Sequence, residues 1–221
     1  MKKINGLIVL LLIIPFAHAL YPASVTQIDD DAFNFKIKVH KGWNLIPLTN
    51  GGIWDEDPKT IDNFASSIAA FAYAPLDNKY FSILGGISES DSNTFSNNKA
   101  YLKLSSAWYY FEKETDVAFN VKNDISQYTL SKGWNLITVP PQFKYSTANW
   151  GNCQLEKIYV WDSLVQDWSS WPIDRDPNGD KFLEESNEGD FIGYGIAIKL
   201  KNECSLGKIN SNGLEAPSLP N

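Results

Sequence analysis

From Phe33 onward, apolar side chains come in short bursts, not in long amphipathic stretches. The bursts Phe33 to Val39, Ile68 to Tyr73, Ala100 to Leu104, Trp108 to Phe111, Ile158 to Trp161 and Phe191 to Leu200 are rich in aromatic or β-branched residues. Clusters of Gly, Pro, Asn, Asp and Ser separate them, as turns separate strands. No window sustains an apolar repeat of about 3.6 residues behind a cap. Only Thr60 to Ala70, with Asp62 and several alanines, permits short helical turns. The expected class is all-β.

The first residues follow a different rule. Met1-Lys2-Lys3 is a short positive start, Leu7 to Ile14 is a continuous apolar run, and Ala17-His18-Ala19 ends it. This is the layout of a secretory signal peptide, and the run falls short of the ~20 residues that span a bilayer. The alternative is an uncleaved anchor. Residues 1–19 are therefore expected to be a leader, and the exported chain to carry no membrane span. Residues 211–221, polar and Pro-containing, read as a flexible tail.

Between lead-in and tail the chain is written twice. Lys41-Gly42-Trp43-Asn44-Leu45-Ile46 returns as Lys132-Gly133-Trp134-Asn135-Leu136-Ile137, offset by 91. Upstream, Ile37 and Val39 fall on Tyr128 and Leu130. Downstream, Tyr73 and Tyr80 fall on Trp161 and Trp168 at an offset of 88, and Ala100 to Leu104 resembles Ile196 to Leu200. Order is kept while loop lengths drift, as in duplicated supersecondary units. The expected organisation is a lead-in at 20–32, a first module at 33–121 and a second at 122–210. Each is a similar antiparallel β-sandwich or barrel.

Gly-Trp-Asn-Leu-Ile, the segment from Trp161-Asp162 to Trp168, and Gly193-Tyr194-Gly195 together resemble the "GWNLIS…GYWIKL" repeat modules of secreted and cell-surface proteins in archaea and bacteria. The likeness covers nearly all of the second unit and, more weakly, the first. It implies an extracellular β module with no established enzymatic role, often accompanying surface or adhesion architectures. Gly195 stands where those modules carry Trp.

Composition narrows the partners. With 19 basic and 26 acidic side chains, the net charge of −7 argues against nucleic acid, whose phosphates require clustered Lys and Arg. Aromatics make up 14 % of the chain. Trp43 with Trp134, Tyr73 with Trp161 and Tyr80 with Trp168 recur in both units and are expected to be shared core. Trp54, Trp108, Tyr109, Tyr110, Trp150 and Trp171 lack clear aromatic counterparts. Of these, Trp54, Trp108, Tyr110, Trp150 and Trp171 are the candidate exposed platform for a sugar ring or a protein surface, burial being the alternative.

Asp174-Arg175-Asp176-Pro177-Asn178-Gly179-Asp180 to Glu185 has the D-x-D-x-N-G-x5-E spacing of an EF-hand-type loop. Side chains of Asp174, Asp176 and Asn178, the Asp180 carbonyl and a bidentate Glu185 make a candidate Ca²⁺ shell. The flanks read as strand and turn, so an acidic solvated hairpin loop is the alternative. The first unit has no such loop at Gly85 to Ser92, so the ion would be a local brace or a bridge to a partner. In an oxidising compartment, Cys153 and Cys204 form a candidate disulfide, with two buried thiols as the alternative.

Catalysis finds little support. After leader removal His40 is the single imidazole, and no G-x-S-x-G, H-E-x-x-H, C-x-x-C or P-loop occurs. The reading is a non-catalytic, exported, cell-surface or secreted structural and adhesion module, whose partner is a surface protein or a glycan. The alternatives are a carbohydrate-binding module and, with its many carboxylates, a secreted glycosidase.

Overall fold

The computed structural model describes residues 24–29, 32–48, 66–84, 88–122, 128–139, 148–182, 184 and 191–208. The protein is all-β, built from two similar antiparallel modules. In the first, β2 (Ala32–Val39) pairs with β7 (Thr115–Lys122), and β1 (Ser24–Asp29) extends that ribbon. Facing it is a four-stranded sheet of β3 (Gly42–Pro47), β6 (Ser106–Phe111), β4 (Ser67–Ala74) and β5 (Lys79–Ser82), in that order. The second module repeats the plan. β8 (Tyr128–Leu130) pairs with β14 (Cys204–Lys208), flanked by β10 (Ala148–Asn149). Its four-stranded sheet runs β9 (Gly133–Thr138), β13 (Gly195–Leu200), β11 (Leu155–Asp162) and β12 (Asp167–Trp171).

The duplication extends to irregularities. Register slips between Ser67 and Ala69 in β4 and between Leu155 and Lys157 in β11, at equivalent places. The β4–β5 and β11–β12 turns each carry a residue at positive φ, Asn78 at 50° and Gln166 at 56°. Gly42 and Gly133 open their strands at φ 105° and 94°. The buried Asn two residues later ties each opening together. Asn44 accepts the His40 N–H at 2.9 Å and donates to the carbonyls of His40 and Gly42. Asn135 makes the same three bonds with Ser131 and Gly133. The repeated hexapeptide is thus a strand-entry device: Gly for the left-handed backbone, Asn for the clamp, aliphatics for the core.

The register moves one expected equivalence. Ile196 and Leu200 occupy the places of Ala107 and Phe111, since both pairs oppose the hexapeptide strand in the same register. Ala100 to Leu104 is no strand: Lys99–Tyr101 is a 3₁₀ turn. It follows an unforeseen helix, α1 (Glu89–Asn98). Ser88 caps α1 by accepting the Asp91 N–H at 3.1 Å, with Glu89 and Asp91 in its first turn. Its buried residues are Thr94 and Asn98, so it has no apolar stripe to betray it. Asn98 accepts the Leu76 N–H and donates to Asp77, fastening the β4–β5 turn.

In each module one sheet face turns inward. Ile37, Val39, Val117 and Phe119 of the ribbon meet Ile46, Ala70, Ala72, Phe81, Tyr109 and Phe111 of the sheet, and the equivalent residues of the second module join the same cluster. Cys153 and Cys204 form a disulfide, tying β14 to the loop before β11. Closing a loop of 51 residues is worth roughly 4 kcal/mol by chain entropy.

Candidate functional site

The outer face of each four-stranded sheet carries the remaining rings, because side chains alternate across a strand. In the first module these are Trp43, Phe71, Tyr73, Tyr80, Trp108 and Tyr110. In the second they are Trp134, Tyr159, Trp161 and Trp168. The two outer faces meet. Leu45, Tyr73, Leu136 and Ala197 are buried where they touch, with Trp108, Trp134, Tyr159, Trp161 and Trp168 packed around them. Trp108 meets Trp161 edge-on at 4.8 Å and Trp168 at 5.6 Å. Such pairs add about 0.5–1.5 kcal/mol each beyond area burial.

Polar bonds fix the docking. Trp161 donates its indole N–H to the Trp43 carbonyl at 2.9 Å. Gln166, at the tip of the β11–β12 hairpin, accepts the Trp43 N–H at 2.7 Å and donates to the Trp43 carbonyl at 2.9 Å. The β4–β5 tip does not repeat this. Its Asn78 instead accepts the Tyr73 hydroxyl at 2.6 Å. Burial of Tyr73, then the neighbouring Tyr80, pushes that phenol above its ordinary pKa.

Open pockets lie where the described parts of these faces meet. One, of about 360 Å³, is lined by Tyr73, Asn78, Tyr80, Trp134, Leu136, Tyr159, Trp168 and Ala197. The other, of about 540 Å³, is lined by Trp43, Phe71, Tyr80, Trp108, Trp161 and Trp168. The pockets are images of one another. Exchange each residue for its equivalent in the other module, and Tyr73, Tyr80, Trp134, Tyr159, Trp168 and Ala197 become Trp161, Trp168, Trp43, Phe71, Tyr80 and Trp108. Each pocket combines the hexapeptide Trp of one module with the hairpin aromatics of the other, and Tyr80 and Trp168 line both. That reciprocity is the mark of an isologous, two-fold interface within one chain. Among the described lining residues none is charged.

The unmatched aromatics do not gather on one face. Trp108 lines the larger pocket, and Tyr110 packs edge-on against Trp43 at 5.2 Å beside it. Trp150 is buried in the core, near Phe182, with its indole N–H donating to the Gly179 carbonyl. Trp171 packs against Phe182 and Phe191 and donates its indole N–H to Asp176 at 2.8 Å. Trp54 lies outside the described residues. The matched aromatics, expected as common core, instead build the pockets: Tyr80 is 53 % exposed. Repetition marked the interface, because a two-fold contact needs the same surface on both partners.

In the acidic loop, Asp174, Asn178 and Asp180 are exposed while Asp176 is buried. Its carboxylate accepts the Trp171 indole N–H and the backbone N–H groups of Lys181 and Phe182, at 3.2 and 3.1 Å. Burial opposes its ionisation, but those donors outweigh it and hold the pKa below the usual range. A Ca²⁺ ion using Asp176 would compete with N–H donors for both oxygens. Among the described residues no group of three or more His, Cys, Asp or Glu is arranged to hold a metal; Glu185 lies outside them. No family model, curated protein or solved structure matches this chain.

Proposed function

We propose that the protein is an exported, non-catalytic adhesion module, at the cell surface or secreted, that holds its partner in the aromatic cleft between its two β modules. The observation that carries this reading is the reciprocal pair of open pockets. A purely structural interface would close over its rings, whereas this one leaves Phe71 and Tyr80 exposed beside half-buried tryptophans. The signal-like leader supports export, and the disulfide suits an oxidising compartment. The hairpin-edge strands β5 and β12 are only four and five residues long, which disfavours assembly through these sheet edges and directs attention to the cleft. Among the described residues, no helix is long and apolar enough to cross a membrane.

Fluorescently labelled protein added to cell-envelope preparations of the source organism tests the reading. Saturable binding is expected, weakened at least tenfold in Tyr80→Ala, whose side chain borders both pockets. Equal binding by the variant, with its melting temperature unchanged, would remove the cleft from the function.

A further inference from the structure

Granting that reading, we infer that the two pockets are unequal subsites for a single neutral glycan chain. Three observations select this ligand. The described lining carries no charge, so nothing in it would neutralise a charged ligand; an uncharged one fits. In the larger pocket two of the four indole N–H groups are engaged internally. Trp161 donates to the Trp43 carbonyl, and Trp108 points its indole N–H at the Tyr80 hydroxyl, 3.4 Å away. A pyranose ring suits such a surface: it sets its C–H face on an aromatic ring and keeps its hydroxyls at the rim, where free indole N–H groups and water meet them.

The third observation is where the symmetry fails. Ala197 lines the smaller pocket where the other module has Trp108, and Asn78 lines it too. Asn78 receives the Tyr73 hydroxyl on Oδ1, leaving its amide N–H₂ to donate to a sugar hydroxyl in a pocket that Tyr80 and Tyr159 also line. Its counterpart Gln166 is committed to Trp43 and to the Ser163 carbonyl. The smaller pocket therefore selects a sugar unit by hydrogen bonds, and the larger one adds affinity by stacking. Because Tyr80 and Trp168 line both, one chain can pass from one to the other.

Calorimetric titration of the purified protein with neutral gluco-, manno- and chito-oligosaccharides of one to six units tests this, with a ten-residue polyproline peptide in parallel. One series should bind with one-to-one stoichiometry and gain at least tenfold in affinity with length. Asn78→Gly keeps the positive φ that turn needs and should weaken every length by about tenfold. Phe71→Ala, at an exposed ring of the larger pocket, should spare the monosaccharide and abolish the gain with length. Two oligosaccharides bound per protein would overturn the single-chain inference. Polyproline binding alone, or no ligand bound while envelope binding still depends on Tyr80, would overturn the glycan but leave the adhesion reading standing. Envelope binding indifferent to Tyr80 would remove both.

Discussion

Gly42 and Gly133 are the same residue in the same motif, with nearly the same backbone, yet their surroundings differ. A methyl group at Gly133 would meet nothing within 4 Å, whereas at Gly42 it would lie 2.5 Å from Gln166 Oε1. Gly133→Ala therefore costs only the strain of a left-handed backbone, about 1–2 kcal/mol. Gly42→Ala carries that strain and also displaces the Gln166 side chain from the Trp43 N–H and carbonyl. Urea denaturation should find Gly42→Ala the worse by about 1–3 kcal/mol, the penalty of lost bonds at a part-buried site. In a Gln166→Ala background the gap should close. If it persists, the hairpin tip does not clamp the neighbouring module. Two copies of one sequence thus do different work because one faces a partner and the other faces open space.

The loop between β12 and β13 depends on one buried carboxylate. Asp176 gathers the Trp171 indole and two backbone N–H groups, and so fixes the turn that inserts Phe182 beneath Trp150 and Trp171. Since its folded pKa is depressed, its contribution is present above the unfolded carboxylate value, near pH 4, and is lost as pH falls through the lower folded value. Asp176→Asn turns one acceptor into a donor facing those N–H groups and should cost about 1–3 kcal/mol at pH 7. The wild-type advantage should shrink as pH is lowered below about 4, seen as converging urea midpoints. A gap constant between pH 7 and pH 3 would mean that the charge is not what the donors hold.

The same elements show what sequence could and could not disclose. Strand bursts, the duplication and the Gly-Trp-Asn-Leu-Ile entries were readable because turn chemistry and alternation are local. Helix α1 was not, since the two side chains it buries are Thr94 and Asn98 and its one clear signal was the Ser88–Asp91 cap. The acidic spacing of residues 174–180 was visible, but not that Trp171 and the backbone would turn Asp176 inward. Nor does one copy of a motif reveal that it will face the other. The pockets are made by contacts up to 123 residues apart in sequence, such as Gln166 to Trp43. Only the recurrence of Trp43, Tyr73 and Tyr80 as Trp134, Trp161 and Trp168 hinted at them.

For the whole molecule, the chain behaves as a two-fold dimer fused into one polypeptide, and duplication explains why. A surface that is self-complementary needs both copies, and fusion supplies the second at no cost in association entropy. The two halves then diverged where the pockets differ: Trp108 against Ala197, and Gln166 as a clamp against Asn78 as a pocket group. One close approach lies at Gly195, which takes the place of Ser106 in the other half. A Cβ there would fall 2.2 Å from Leu45 Cγ and 2.8 Å from the Leu45 carbonyl oxygen. Any larger residue would drive the sheets apart. Gly195→Ala should cost about 1–3 kcal/mol by overpacking, with a shift in tryptophan emission as the indoles around the cleft move. Leu45→Ala alone should cost about 2–5 kcal/mol through the cavity it leaves. Together the two changes should cost less than their sum by about 0.5–3 kcal/mol, because the added methyl enters the space that Leu45 vacates. Strict additivity in that cycle would show that the two faces do not meet at Gly195, and the pockets built from their meeting would go with it.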